Sequence, residues 1–289
     1  MFAANLRRIE RHNSNDAGTA AAHSYSLGVN QFADITADEF ADTFARGGFT
    51  APPGGAAAAA PAAAATAAAT APPPPASLDW RSKGAVNAVR NQYQCGGCWA
   101  FSATAAAEAA WALANGTLPV LSEQELIDCS APQGNTGCAG GSMDFAFSYM
   151  AARGPARLCD GRNYKFSGST GFCFAGECTN HTGVNVTGFR LVTPEGDEAA
   201  LLQAVAQGVV SVGIQANQSG FQLYKDGVFD GVCGDALDHA VALVGWGEGY
   251  WIVRNSWGTS WGEGGYMRLQ RGANKCGVAN AAIYPTVGA

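Results

Sequence analysis

The chain carries nine cysteines, and none stands before residue 95: Cys95, Cys98, Cys129, Cys138, Cys159, Cys173, Cys178, Cys233 and Cys276. Cysteines scattered in this way cross-link a compact body, because each bridge removes loop entropy from the unfolded chain. An odd count leaves one over. The expected arrangement is four disulfides and one free thiol, in a protein that folds along an oxidising route. All seven tryptophans also fall from Trp80 onward, so the stapled body begins near Leu78-Asp79-Trp80.

Composition divides what lies ahead of that body. Residues 1–47 lack cysteine and mix charged with apolar residues, in a helical opening around Leu6 and Ile9 followed by Tyr25-Ser26-Leu27-Gly28. Residues 48–77 are almost entirely Gly, Ala, Pro and Thr, with Pro72-Pro73-Pro74-Pro75 near the end. That is a semi-extended linker open to proteolysis. Residues 78–289 are the body. With 289 residues and 47% apolar content there is enough material for a sizeable core, in one large domain or two ordinary ones.

Charge and hydropathy exclude two classes of partner. A net charge of −6 with no Lys/Arg run offers nothing to neutralise a phosphate backbone, so nucleic acid is not an expected partner. The longest apolar run, Ala56 to Ala71, is Ala, Thr and Pro, too weakly hydrophobic for a membrane span. No basic-then-apolar signal sequence opens the chain, so it is either cytosolic or lacks its start. The cysteines favour the second reading. Sequons at Asn115, Asn180, Asn185 and Asn217 point the same way, as glycosylation sites of a secretory protein.

Within the body, the Ala-rich stretch from Cys98 to Leu113 reads as one strong helix, stopped by Asn115-Gly116. Ser122-Glu123-Gln124-Glu125 fits a capping box opening a second helix, and a third is expected from Met143 to Ala152. After about Gly188 the texture turns to Val/Gly-rich alternation: Val209 to Val212, Ala240 to Val244, Tyr250 to Val253 and Tyr266 to Leu269. A helical first half (about 78–187) and a mainly stranded second half (about 188–289) make the class α+β, with two lobes.

Cys95-Gly96-Gly97-Cys98 admits three readings. As a zinc half-site it lacks a second CxxC; as a thioredoxin-like redox pair it lacks a preceding βαβ pattern, and Trp99 follows the pair instead of leading it. The third reading is one bridged cysteine beside one free nucleophile, which also accounts for the odd count. Cys98 stands at the first turn of the expected helix, where the dipole and unsatisfied N–H groups favour a negative sulfur. A protonated imidazole alongside would lower its pKa further. His12 and His23 precede the linker and His181 lies in a polar loop, which leaves His239. A lone histidine on a strand is otherwise a core residue. Asn255, just after an expected strand, can accept the imidazole N–H without adding a charge that opposes the ion pair. Gln92 can offer its amide to a developing oxyanion together with the Cys98 N–H.

These residues resemble the papain family of cysteine proteases. The similarity runs from Leu78-Asp79-Trp80-Arg81 through Gln92, Cys98-Trp99-Ala100-Phe101-Ser102, Leu121 to Leu126, Gly137-Cys138-Ala139-Gly140-Gly141 and Asn255-Ser256-Trp257-Gly258 to Tyr284-Pro285. It implies a papain-like fold, with a helical left lobe, a β-barrel-like right lobe and the active site in the cleft between them. It also implies amide hydrolysis through an acyl-enzyme on Cys98, with His239, Asn255 and Gln92 as the other catalytic residues. The same machinery serves a peptide ligase if an amine replaces water, and a binding protein on the same scaffold would lack the nucleophile or its base.

By the resemblance Cys95 pairs with Cys138, Cys129 with Cys173 and Cys233 with Cys276, leaving Cys159 and Cys178 for each other. Gly140 and Gly141 would bind substrate backbone. Met143, Gly213, Leu237, Ala240 and Ala281 would line a pocket for a large hydrophobic residue two before the scissile bond, as in the cathepsin L branch. Asp238 and Trp257 join the substrate-binding set, and Trp257 would shield the His239 to Asn255 hydrogen bond.

Ahead of the body, Phe2, Asn5, Ile9 and Asn13 match the end of the family's inhibitory propeptide helix. Gly28-Val29-Asn30-Gln31-Phe32-Ala33-Asp34 matches its second motif. The upstream half of that helix is absent, so the expectation is a chain that starts inside its propeptide. No occluding-loop insertion is evident, which favours endopeptidase action. No cofactor or metal is implied, a monomer is expected, and the partners are peptide and protein substrates and the chain's own propeptide. The expected compartment is lysosomal, vacuolar or extracellular. Gly97 stands where Ser or Ala is usual, and Tyr93-Gln94 where Gly-Ser or similar is common.

Overall fold

The computed structural model describes residues 1–14, 24–45, 48–50 and 73–288. Most of the Ala/Pro linker expected over 48–77, and any maturation site in it, lies outside the described residues. Ahead of it come α1 (Phe2–Asn13), β1 (Tyr25–Leu27) and α2 (Ala37–Phe40), continued by a π-helical turn over Ala41–Ala45. The body contains β2 (Leu78–Asp79), α3 (Cys98–Asn115), α4 (Glu123–Cys129), α5 (Met143–Arg153), β3 (Val186–Leu191), α6 (Glu198–Val205), β4 (Val210–Ile214), α7 (Ser219–Gln222) and β5 (Tyr224–Phe229). It closes with β6 (His239–Gly247), β7 (Tyr250–Arg254), β8 (Tyr266–Gln270) and β9 (Ala282–Val287). No helix among the described residues is long and apolar enough to cross a membrane.

The fold is α+β, with helices gathered in the first half of the body and strands in the second. The sheet runs β1-β5-β8-β7-β6-β4-β9-β3, an open path, with β2 paired to β6. Both ends of the described body therefore enter the stranded lobe: Leu78 sits opposite Trp246, and β9 lies between β4 and β3. A Cβ at Gly245, where φ is +151°, would collide with the Leu78 carbonyl, which is why this close crossing needs glycine.

Helix α3 is the axis of the molecule. Ala100, Ala103, Ala105, Ala106, Ala107 and Ala109 are all buried. A helix buried all round from Cys98 to Ala109 is enclosed by other elements, and alanine lets the neighbours come close. Gly116 ends it in the left-handed region at φ +76°, donating its N–H to the Ala112 carbonyl. Two serine hydroxyls fix the start of α3 to the sheet: Ser102 Oγ donates to the Val241 carbonyl at 2.7 Å, and Ser211 Oγ donates to the Ser102 carbonyl at 3.0 Å. Ser102 lies one turn after Cys98, and Val241 lies two residues after His239 on the same strand face. The pair of bonds thereby sets Cys98 against the start of β6.

The second helix starts differently from the expected capping box. Ser122 Oγ does accept the Glu125 N–H at 2.9 Å. The Glu125 carboxylate, however, accepts from the Cys159 N–H at 2.7 Å and from the Tyr149 hydroxyl at 3.0 Å, instead of reaching back to the Ser122 backbone. A buried carboxylate with two tertiary donors gains more there than at an exposed cap. The reciprocal box occurs at α2, where Thr36 and Glu39 exchange bonds of 2.9 and 2.7 Å.

The described residues among the first fifty are tied to the body. Asn5 Nδ2 donates to the carbonyls of Ala33 and Ile35, each at 2.9 Å, and Asn13 exchanges bonds of 2.8 and 3.0 Å with the Leu27 backbone. Those contacts fold α1 back on the segment that follows. The segment in turn adds β1 as an antiparallel edge strand to β5 and sends Gln31 Nε2 to the Trp257 carbonyl at 2.6 Å. Phe32, Phe40 and Phe44 pack around one another, with Phe32 and Phe40 edge-on to Trp257 at 5.4 and 5.2 Å.

Candidate active site

Cys95 is bridged to Cys138, which removes both the zinc half-site and the redox pair as readings of the CxxC. The other bridges are Cys129–Cys173, Cys159–Cys178 and Cys233–Cys276, and Cys98 is the one cysteine outside a bridge. It is the first residue of α3 and fully buried, at 0% exposure. No side chain caps this helix, because the residue ahead is Gly97. The first N–H groups of α3 are therefore available to a negative sulfur or oxygen.

His239 opens β6. Its Nε2 lies 2.8 Å from Asn255 Oδ1, and Asn255 Oδ1 also accepts the Ser256 N–H at 2.8 Å, which fixes the orientation of the amide. The imidazole proton therefore sits on Nε2, and Nδ1 is left with a lone pair and no hydrogen-bond partner. Trp257 stacks on the His239 ring at 4.6 Å between centroids and 27° between planes. One face of the imidazole is thus closed by an indole.

Gln92 is fully buried beside this group. Its backbone N–H donates to the Ser256 carbonyl at 2.8 Å, its Oε1 accepts from Ser256 Oγ at 2.5 Å, and its Nε2 donates to the Cys95 carbonyl at 3.0 Å. Ser256 was not singled out by sequence reasoning; its place between Asn255 and Trp257 gives no sign of a bond to a residue 164 positions away. Asp238 is placed with the site by number, but its Oδ1 accepts the Ala216 N–H at 2.7 Å.

The cleft contains the chain's own residues 48–50, which composition groups with the linker. A Cβ on Gly48 would lie 3.0 Å from Cys98 Sγ, so this residue passes directly over the thiol. Phe49 forms a parallel bridge with Gly141, and the Thr50 N–H donates to the Gly141 carbonyl at 2.8 Å. The Phe49 side chain is buried in the cluster that includes Met143 and Ala240, with Leu237 and Ala281 against it. A Cβ at Gly213 would come within 2.5 Å of its ring. Gly141 is needed on the opposite wall, where a Cβ would meet the Trp99 ring at 2.8 Å. Gly140 presents no side chain, and its carbonyl accepts from Thr136.

Burial under this cover disfavours the charged forms of Cys98 and His239. Burial pushes the Cys98 thiol up to about 12, with the Asp238 charge adding to the rise and the N–H groups of Ala240 and Trp99 opposing it. Burial likewise pushes His239 down to about 4, against the hydrogen bond to Asn255. In the closed state burial thus opposes the thiolate–imidazolium pair that sequence reasoning expects.

Filling the pocket with Phe49 contributes about 2 to 3 kcal/mol. Replacing Phe49 by alanine should therefore weaken binding of the separate 1–50 peptide to the body by roughly 10²-fold. Calorimetric titration with wild-type and variant peptides measures it, and equal dissociation constants would show that Phe49 does not anchor the segment.

Residues 74–286 match the papain family cysteine protease family, and residues 1–40 match the cathepsin propeptide inhibitor domain. A senescence-specific cysteine protease of Arabidopsis thaliana is 42% identical over 296 residues, spanning 99% of this chain and 83% of the relative. Among solved structures, the proform of Amb a 11, a cysteine protease and major ragweed pollen allergen, is similar with a TM-score of 0.86 at 37% identity. It is matched over 100% of this chain and 88% of its own. Recombinant stem bromelain precursor is similar with a TM-score of 0.84 at 36% identity, over 100% of this chain and 90% of that one.

Proposed function

The chain belongs to the papain family of cysteine proteases, as a cysteine endopeptidase with an inhibitory propeptide domain, and from that premise we propose how its own residues do the work. Cys98 is the nucleophile, His239 the general base and acid, Asn255 the group that orients the imidazole, and Gln92 with the Cys98 N–H the oxyanion site. The observation that carries this reading is the His239 ring, held by Asn255 Oδ1 on one nitrogen and by Trp257 on one face, with its other nitrogen unpaired.

Once residues 48–50 leave, water and the developing charges can enter the cleft. Cys98 Sγ–H gives its proton to His239 Nδ1, and the thiolate attacks the scissile carbonyl. The oxyanion is met by the Cys98 N–H and a Gln92 amide N–H, whose orientation Ser256 holds. The His239 imidazolium then protonates the leaving amine, and the neutral ring later takes a proton from the water that hydrolyses the thioester.

The pocket that holds Phe49 supports a preference for a large hydrophobic residue two before the scissile bond. Met143, Gly213, Leu237, Ala240 and Ala281 offer it no charge. Gly213→Ala should lower kcat/KM for a phenylalanine-containing substrate by roughly 10-fold relative to one with valine, because the added methyl occupies the place of the ring. The four bridges support folding in the secretory pathway, ahead of a vacuolar, lysosomal or extracellular destination.

Acid incubation of the full chain tests the catalytic assignment. The wild-type protein should gain activity on a coumarin amide with phenylalanine in that position and acquire a new N-terminus between residues 50 and 78. Cys98→Ala should do neither. Activity in Cys98→Ala after removal of residues 1–50 by an added protease would refute the role of Cys98.

A further inference from the structure

Gln92 to Cys95 form a tight turn closed by the Cys95 N–H on the Gln92 carbonyl at 3.1 Å, and its first corner is Tyr93 with φ at +49°. That is the backbone region where glycine is at home and a bulky side chain is strained. The ring gains no burial in compensation, since Tyr93 is 63% exposed. It is nonetheless held in place. Its N–H donates to Asn91 Oδ1 at 2.8 Å, and its ring lies parallel to Phe166, 6.5 Å between centroids and 9° between planes. Phe166 stands edge-on to Phe101 at 5.0 Å, and Phe101 is one turn after Cys98 on α3. A strained and exposed aromatic is thus stacked on a support that packs against the nucleophile's own helix, immediately beside the oxyanion residue. Strain kept at such a place points to use.

Phe40, Gly48 and Phe49 give the cleft its direction. Phe40 packs on Trp257, Gly48 passes over Cys98, and Phe49 fills the pocket of Gly213 and Leu237. A substrate whose acyl half takes the Phe49 pocket sends its leaving half toward Trp257. The turn that carries Tyr93 lies at that end, because Asn91 is bridged to Trp257. We propose that the Tyr93 ring, stacked on Phe166, is a specificity surface for an aromatic side chain in the first two residues after the scissile bond. The inference rests on the catalytic reading of Cys98 and Gln92 and extends it to a substrate class: peptides with an aromatic residue in the leaving half.

The test uses the matured enzyme and three substrates with one acyl half. Two are internally quenched peptides with either tyrosine or glycine in the first two leaving-side positions, and the third is a coumarin amide with no peptide leaving group. Wild type should favour the tyrosine peptide over the glycine peptide by roughly 3- to 10-fold in kcat/KM, the range one aromatic stack supplies. Tyr93→Gly, which relieves the backbone strain and so folds, should bring the ratio near unity with the coumarin amide unchanged. Tyr93→Phe should retain the ratio, and Phe166→Ala should reduce it.

A ratio untouched by Tyr93→Gly would overturn the proposal. So would an equal loss on all three substrates, which would mean that Tyr93 acts through Gln92 instead of touching substrate. Absence of turnover of the coumarin amide by the wild-type enzyme would overturn the catalytic reading with it.

Discussion

Removing residues 1–50 will raise the rate at which iodoacetamide alkylates Cys98 at pH 6 by roughly 10³-fold, because the nucleophile is the thiolate and the closed chain holds almost none. In the proform the thiol is fully buried under Gly48 and its pKa stands at about 12. Restoring it merely to the ordinary value of a free cysteine, ~8.5, multiplies the thiolate fraction by about three orders of magnitude. Pairing with a rehydrated His239 imidazolium and the start of α3 adds to this, and access of the reagent adds again. The measurement is the incorporation of label per chain against time, before and after proteolytic removal of the segment. The other eight cysteines are bridged, so the label should reach one site. Equal rates in the two forms would mean that residues 48–50 do not guard the thiol.

The residues proposed to carry covalent chemistry are the ones legible in the sequence. Cys98 follows from an odd cysteine count and a helix start, and His239 follows from the scarcity of histidine. Both are local or countable properties, as are the period of α3 and the Gly116 stop. What the sequence hides are long-range contacts between ordinary residue types. Phe49 looks like the edge of a linker, because Gly47-Gly48 ahead of it and Pro52-Pro53 behind it dominate the local composition. The signal available was a lone aromatic in a tract of small residues. Ser256 and Ser102 fix Gln92 and helix α3 through bonds that span 164 and 139 positions, and serine has no periodicity that would announce them. The Ser122 capping motif misleads for the same reason, since tertiary donors outcompete the local one for Glu125.

Acidification from pH 6.5 to 4 will loosen the closed proform, and His239 will account for a large part of the loss. Its pKa is about 4 in the closed state and near 6.5 when solvated, so between those values the closed state binds fewer protons than the open or unfolded one. Stability therefore falls as pH falls through this window, by about 3 kcal/mol once both states are protonated. Cys98 contributes in the other sense, but only as pH rises above ~8.5, outside the window. Glu39, whose carboxyl is held below its ordinary value by the Thr36 backbone and hydroxyl donors, works in the same direction as His239 at the lower end of the range. The Cys98→Ala background separates this opening from self-cleavage. Thermal denaturation of that variant should show Tm dropping steadily from pH 6.5 to 4. A second substitution, His239→Gln, should flatten the slope while leaving the part due to carboxylates such as Glu39. If the two slopes coincide, the buried imidazole is not the group that couples acid to release, and opening is driven by the carboxylates alone.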